Sequence, residues 1–523
     1  MNTVQLLDCT LRDGGYCNQW NFGYENIQKI TQKLVEANVE IIECGFLTEQ
    51  IIFNRNVTKF DKVEQIKDIL PKKKNDKLFV AMMNYGEYNI DSLPNCDGNS
   101  INGIRVAFHK KDVKDALTVC KKIQKKGYRV FIQAMVSLCY SDEEFLDLIH
   151  RVNELNPYAF YIVDSFGMMK AKDLIRLFYM VEHNLNGKIR IGFHSHNNMQ
   201  LAYSNAQTLM ELQTNRNLII DSSVYGMGRG AGNLNTELFI DYLNENFDKR
   251  YNMQPVLSII DEIISDFYER NYWGYSLPNY IAAAHNAHPN YASYLDDKKT
   301  ITVEEMNEIF DMMDNEKKYS YDNEYIKELY LNYMSKENAS MLRQNQLKKI
   351  LKEKTIILIA PGKTAEDQKE IIREYAEKHD TVKISVNFDY PFIETDFIFV
   401  SNIRRFKELQ ETQKCIITSN IHAKEVYYQT EYKDLLAPID SVRDNAGMMA
   451  IKFLMNYEVK EILLAGFDGY SHDIDDNYLN SQMTIMTKNE LLDSMNAGMN
   501  LVLNQYAEKL KIVFLTKPKH LKI

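Results

Sequence analysis

At 523 residues the chain is too long for one hydrophobic core, so two or more domains are expected, and 45% hydrophobic with 26% charged residues is the composition of an ordinary globular protein. A formal net charge of -10, with Lys72-Lys73-Lys74 as the longest basic cluster, argues against nucleic acid as the main partner, and no run approaches the ~18 apolar residues of a membrane span. Seven cysteines scattered from Cys9 to Cys415 without CxxC spacing give neither a zinc pattern nor a disulfide framework, and a first strand within a few residues of Met1 leaves no room for a signal peptide, so a cytoplasmic protein is expected.

Short apolar, β-branched runs recur at 4–9, 39–44, 78–83, 103–108, 128–136, 159–163, 189–193 and 218–224. Amphipathic helical patterns separate them, as at 26–37, 111–125, 142–155, 172–184 and 199–211. Eight strand-helix units of this length predict a (β/α)8 TIM barrel of the α/β class, with an open doubly wound sheet as the competing arrangement.

In a barrel the chemistry lies at the C-terminal ends of the strands. Asp8 and Thr10-Leu11-Arg12-Asp13-Gly14-Gly15 follow the first strand, Glu43 and Gly45 close the second, and Asn84 closes the third. Arg105 lies in the fourth with His109 after it, Gln133 in the fifth, and Asp164-Ser165 ends the sixth. His194 and His196 end the seventh, and the Gly-rich run from Gly226 to Asn233 follows the eighth. Residues i and i+2 of a strand share a face, so the two imidazoles project together, as half of a divalent-metal site or as a chance polar pair closing a strand. Arg12-Asp13 reads as part of such a site or as a surface ion pair at a turn, and the glycines as a functional or a merely tight loop.

Residues 8–14, His194-Ser195-His196 and 228–237 (GRGAGNLNTE) together resemble the pyruvate-carboxyltransferase-like, or hydroxymethylglutaryl-CoA lyase-like, metal-dependent barrels. The Tyr161-Ile162-Val163-Asp164-Ser165-Phe166-Gly167 and Arg105-Val106-Ala107-Phe108-His109 stretches are most similar to the 4-hydroxy-2-oxovalerate aldolase branch. The resemblance covers roughly residues 1–295. It implies that Asp13, His194 and His196, with Asn233 as a further ligand, hold one divalent cation, Mn²⁺ or Mg²⁺. It implies that Arg12 stabilises a developing oxyanion and that Ser165 holds a 2-oxo acid substrate, with Glu43 and Gln133 as second-tier candidates for ligand orientation or proton transfer. Where the aldolases carry an acid/base histidine, this chain has Tyr16, followed by Cys17. A phenol of ordinary pKa serves as an acid or hydrogen-bond donor; otherwise the base comes from elsewhere, with His109 and His288 as the choices. Tyr291 resembles a tyrosine that approaches the aldolase site from the C-terminal side, and a plain packing helix is the alternative there.

Three regions are expected: a barrel domain at 1–250, a helical extension and linker at 251–352, and a Rossmann-like α/β domain at 353–523. Strands of the last are expected at 355–360, 382–387, 397–401, 415–419, 461–465 and 512–515. Pro361-Gly362-Lys363-Thr364 at its first turn suggests a phosphate at a helix N-terminus, although it is not a Walker loop. The loop Ala465-Gly466-Phe467-Asp468-Gly469-Tyr470 is a second ligand candidate, and the stretch faintly resembles sialyltransferase-like or pterin-pyrophosphokinase-like folds. A nucleotide or sugar nucleotide is the expected partner there, and a homo-oligomer is expected of the whole. The function expected is a metal-dependent aldolase, a C–C lyase acting through a pyruvate-type enolate on a 4-hydroxy-2-oxo acid. The alternatives are Claisen condensation with an acyl-CoA on the same fold, or a sugar-nucleotide transferase in which the barrel is secondary.

Overall fold

In a computed structural model describing residues 4–74, 76–247, 250–334, 341–423, 425–484 and 487–522, the chain divides into two compact units. These are Met1–Ala292 with Asp314–Tyr321, and Ser293–Met313 with Asp322–Ile523. The stretch expected as a separate extension, 251–352, is therefore shared between the units, and its residues 335–340 lie outside those described.

Eight parallel strands make the barrel of the first unit: β1 (Val4–Asp8), β2 (Ile41–Leu47), β3 (Leu78–Asn84), β4 (Gly103–Phe108), β5 (Arg129–Ala134), β6 (Ala159–Asp164), β7 (Arg190–Ser195) and β8 (Leu218–Ser222). Each pairs with its successor, and β1 pairs with both β2 and β8. That closure makes the sheet a TIM barrel and disposes of the open-sheet alternative.

The helix Asp142–Leu155 shows why the crossovers form. Ser141 and Glu144 make a reciprocal capping box, Phe145, Leu148, Ile149 and Val152 are buried at helical spacing, and Asn156 ends the helix in a left-handed conformation. Among the described residues, the connection after β2 holds a two-residue strand, Lys59–Phe60, paired with β2, and the 3₁₀ segment Val63–Ile69, and the connection after β3 holds the 3₁₀ segment Ile90–Ser92.

Strand alternation sorts the side chains. Outward residues such as Leu6, Ile42, Ile104, Ile132, Ile162 and Ile220 pack in one core with the helices, while inward Leu7, Ile41, Phe131, Tyr161 and Ile219 plug the barrel. Two residues further along their strands, the same inward parity brings Glu43, Arg105, Gln133, His194 and Asp221, all buried. Glycine at 192 leaves room for the plug, because a Cβ there would lie 2.3 Å from the Tyr161 ring.

The second unit is a seven-stranded parallel sheet of β9 (Thr355–Ile359), β10 (Thr381–Val386), β11 (Phe397–Val400), β12 (Cys415–Thr418), β13 (Tyr428–Thr430), β14 (Glu461–Ala465) and β15 (Ile512–Phe514). Their order is β13-β12-β11-β10-β9-β14-β15, so the winding reverses between β9 and β14. The edge strand β13 was not expected from the sequence. Among the described residues no helix is long and apolar enough to cross a membrane.

Candidate metal centre

The chain leaves β1 in a single helical turn, Thr10–Asp13, whose Arg12 and Asp13 amides both donate to the Cys9 carbonyl. This turn sets Asp13 over the barrel mouth, where the inward-facing His194 and His196 meet it. Asp13 Oδ2 lies 3.7 Å from Nε2 of each histidine. One ligand atom from each of the three buried residues lies within 4.8 Å of the others. The arm that carries Asn233 is fixed by a bridge between His196 and Asn233 and by the Asn197 amide, which donates to the Gly232 carbonyl at 2.8 Å.

Beneath the three residues runs a closed circuit of buried charges. Arg12 lies 2.9 Å from Asp13 Oδ1 and donates through Nε to Glu43 at 2.9 Å. Glu43 also accepts from Arg105 Nη1 at 2.7 Å, and Arg105 Nη2 pairs with Asp221. Asp221 in turn bonds His194 Nδ1 at 3.0 Å, which fixes the tautomer and leaves Nε2 facing Asp13 as a lone-pair donor. Burial alone would raise the Asp13 carboxyl; Arg12, His196 and His194 outweigh it and hold the group well below the usual carboxylate range. Burial likewise lowers His196 to about 4 against the pull of Asp13, so its imidazole is neutral at physiological pH.

A divalent cation fits this donor set. Asp13 Oδ1 has Arg12 as its ion partner, but Asp13 Oδ2 has no hydrogen-bond partner and faces the two imidazoles at 3.7 Å, and Asn233 Oδ1 is also buried without one, although the Asn233 amide nitrogen is anchored on the Met227 carbonyl at 3.2 Å. Orphaned buried acceptors are costly unless something supplies positive charge. The circuit itself holds three carboxylates (Asp13, Glu43, Asp221) against two guanidiniums (Arg12, Arg105), an excess of one negative charge. Carboxylate, carboxamide and two imidazoles together make a mixed oxygen and nitrogen donor set for one divalent cation.

The remaining sequence candidates sort unequally. Arg12 keeps one buried donor, Nη2, without a partner. The Ser165 hydroxyl accepts from the Val136 amide at 2.9 Å, which leaves its own proton to donate. Tyr16 is 44% exposed at the mouth, and its phenol is raised above its ordinary pKa because lost hydration outweighs the nearby Arg229. Tyr291 requires a correction. It is fully buried, and its hydroxyl is taken by the Lys317 and Ser320 carbonyls at 2.9 and 2.8 Å, so it packs the segment 314–321 instead of facing substrate. His109 is an exposed strand-end residue, and the His288 ring accepts from Arg229 at 2.7 Å. Asp8 and Asp164 serve their own loops: Asp8 accepts from Thr10 and Thr236, and Asp164 from the Met168 and Met169 amides. Asp221 was missed, although an acid at inward parity in an otherwise apolar strand was its signal.

A family model described as HMGL-like matches residues 3–263. The N-terminal half of the chain belongs to the HMGL-like family. Over 243 residues, 46% of the chain, it is 27% identical to a 4-hydroxy-2-oxovalerate aldolase of Pseudoalteromonas translucida, covering 70% of that protein. It is 26% identical over 245 residues to one from Geobacillus genomosp. 3, again covering 70%. The N-terminal domain of a Bacteroides vulgatus protein provisionally named an aldolase overlays 56% of this chain and 96% of its own, at 25% identity and a TM-score of 0.49.

Beyond the HMGL-like domain, the second unit has a cavity of roughly 200 Å³ where its winding reverses, at the carboxyl ends of the strands. Asn387, Asn402, Arg405, Asn445, Asn477 and Tyr478 are among its lining residues. Both loops singled out in the sequence border it, but the phosphate expectation does not hold at Thr364. The amide and hydroxyl of Thr364 are both bonded to the Asp468 carboxylate, with the amide at 2.8 Å, so the chain fills that anion position itself.

Proposed function

We propose that the barrel is a divalent-metal-dependent aldolase that makes or breaks a C–C bond beside a 2-oxo acid through a pyruvate-type enolate. The observation that carries this reading is the convergence of Asp13, His194 and His196 beside an Arg12 Nη2 with no partner. A bound cation would supply Lewis acidity toward the oxygens of a 2-oxo acid. Arg12 Nη2 donates to the oxyanion that develops on the enolate, and Glu43 fixes its aim. Asp221 keeps His194 in its ligating tautomer. Ser165 donates to the substrate carboxylate. Tyr16, protonated at neutral pH, donates to the oxygen of the acceptor aldehyde. Relatives named as 4-hydroxy-2-oxovalerate aldolases support the choice of chemistry. The test is exchange of the pyruvate methyl protons with deuterated water in the presence of Mn²⁺, together with release of pyruvate from a 4-hydroxy-2-oxo acid. Both are expected of the native chain and neither of Asp13→Ala; exchange that persists in the variant contradicts the reading.

The switch-point cavity favours a second, separate reading for the C-terminal unit, that it binds a nucleotide or sugar nucleotide. Side-chain amides both donate and accept, which suits the edges of a base or a sugar. Calorimetric titration of the full chain with a nucleotide-sugar panel should find a binder that Asn387→Ala weakens. A panel with no binder contradicts it.

A further inference from the structure

Three arginines surround the metal centre or lie beneath it, and one differs in kind. Arg12 and Arg105 are each gripped by two carboxylates. Arg229, between Gly228 and Gly230 in the loop after β8, has no carboxylate partner among the described residues. Its Nη2 donates to His288 Nε2 at 2.7 Å and to Asn290 Oδ1 at 2.9 Å, both neutral acceptors, and its guanidinium carbon lies 5.6 Å from the centre of the Tyr16 ring. Its Nε and Nη1 make no hydrogen bond among the described residues.

The support for Arg229 is built. The Asn290 amide lies 3.2 Å from His288 Nδ1, and the His288 ring stacks on Tyr321 at 5.7 Å and meets Phe166 edge-on at 5.4 Å. Burial and Arg229 together lower His288 to about 2, so the imidazole stays an acceptor and brings no competing charge. The Arg229 loop borders the metal centre, because the Gly228 carbonyl just before that arginine accepts from Cys17 Sγ at 3.2 Å and Asn233, four residues on, bridges His196. A half-buried guanidinium without a counter-ion, with a free fork of donors, is complementary to a carboxylate or phosphate.

We infer that Arg229, with Tyr16 beside it, is the subsite for an anionic group on the acceptor aldehyde, so that the barrel joins its 2-oxo acid to a charged aldehyde in preference to a neutral one. This rests on the aldolase reading. In the addition direction the enolate carbon bonds to the aldehyde carbon, and the aldehyde oxygen gains one proton, balancing the one lost from the 2-oxo acid methyl group.

The test uses the full chain loaded with Mn²⁺ and compares kcat/KM for pyruvate addition to matched aldehydes. Succinic semialdehyde against butanal reports a carboxylate, and glyceraldehyde 3-phosphate against glyceraldehyde reports a phosphate. One charged partner should be favoured by about tenfold to a hundredfold, the worth of a charge-assisted hydrogen bond. Arg229→Gln should bring that ratio close to one, and Arg229→Lys should keep part of it. Equal use of charged and neutral partners, or a preference that survives Arg229→Gln, overturns the inference and assigns Arg229 to bracing Tyr16 and His288. A binding measurement separates the two claims. With protein saturated by Mn²⁺ and oxalate, Arg229-dependent binding of either anionic aldehyde upholds the subsite, and absent pyruvate exchange then defeats the aldolase reading alone. Binding of neither anion overturns the subsite even where exchange upholds the aldolase.

Discussion

Two parallel sheets in this chain each open a cleft at the carboxyl ends of their strands, yet the clefts are finished in opposite ways. In the barrel, the inward positions above an apolar plug are charged and pair around a circuit, and Asp13, Asn233 Oδ1 and the Arg12 Nη2 donor are among the buried polar groups left there without hydrogen-bonded partners. In the C-terminal sheet, the position where an anion could sit is occupied by Asp468 of the same chain, and the cavity beside it mixes the amides of Asn387, Asn402, Asn445 and Asn477 with charges of both signs, among them Arg405 and Asp444. Topology chooses where a cleft falls. What is left unpaired there decides its chemistry, and by that criterion the barrel is built for a cation and the second sheet is not.

The comparison is broken most severely at Arg105, which is fully buried between Glu43 and Asp221. Arg105→Met takes one cationic partner from each of two buried carboxylates, leaving Glu43 with Arg12 and Asp221 with His194, and should cost about 3–5 kcal/mol, measured by urea denaturation. A loss below about 1 kcal/mol would mean that the circuit is not a unit. Tyr16→Phe keeps the ring but removes the donor, and turnover should fall about a hundredfold with metal content unchanged. Because lost hydration at the mouth raises the phenol further above its ordinary range, the native pH profile should show no Tyr16 ionisation near neutrality. Asp221→Asn leaves His194 in place but weakens the hold on its Nδ1, and Mn²⁺ affinity should drop about tenfold to a hundredfold by calorimetry. The smallest effect belongs to the second sheet. Asp468→Ala frees the Thr364 amide and should lower stability by about 1 kcal/mol, read as a modest fall in melting temperature.

The same contrast explains what could be read from the sequence. The barrel was legible because eight apolar runs ended in polar residues, and because His194 and His196 share a strand face by simple alternation. Asp13 and Arg12 were legible as a pair following the first strand. Asp221 was not, because its value lies in Arg105, 116 positions away and across the barrel interior. Tyr291 was misjudged for the same reason. Its local sequence suits a site residue, but the returning segment 314–321 supplies carbonyls that take its hydroxyl. Thr364 sits at a plausible phosphate turn until Asp468, 104 positions later, closes it. Local pattern shows which side chains face inward; it does not show which distant group has already satisfied them.

The most direct test counts Mn²⁺ on the intact chain by electron paramagnetic resonance, comparing the native protein with His196→Ala and Asp13→Ala of verified fold. A single tight ion in the native chain, lost in both variants, is the predicted result. Stoichiometric tight binding that survives either change would contradict the metal centre and the reactivity assigned to it.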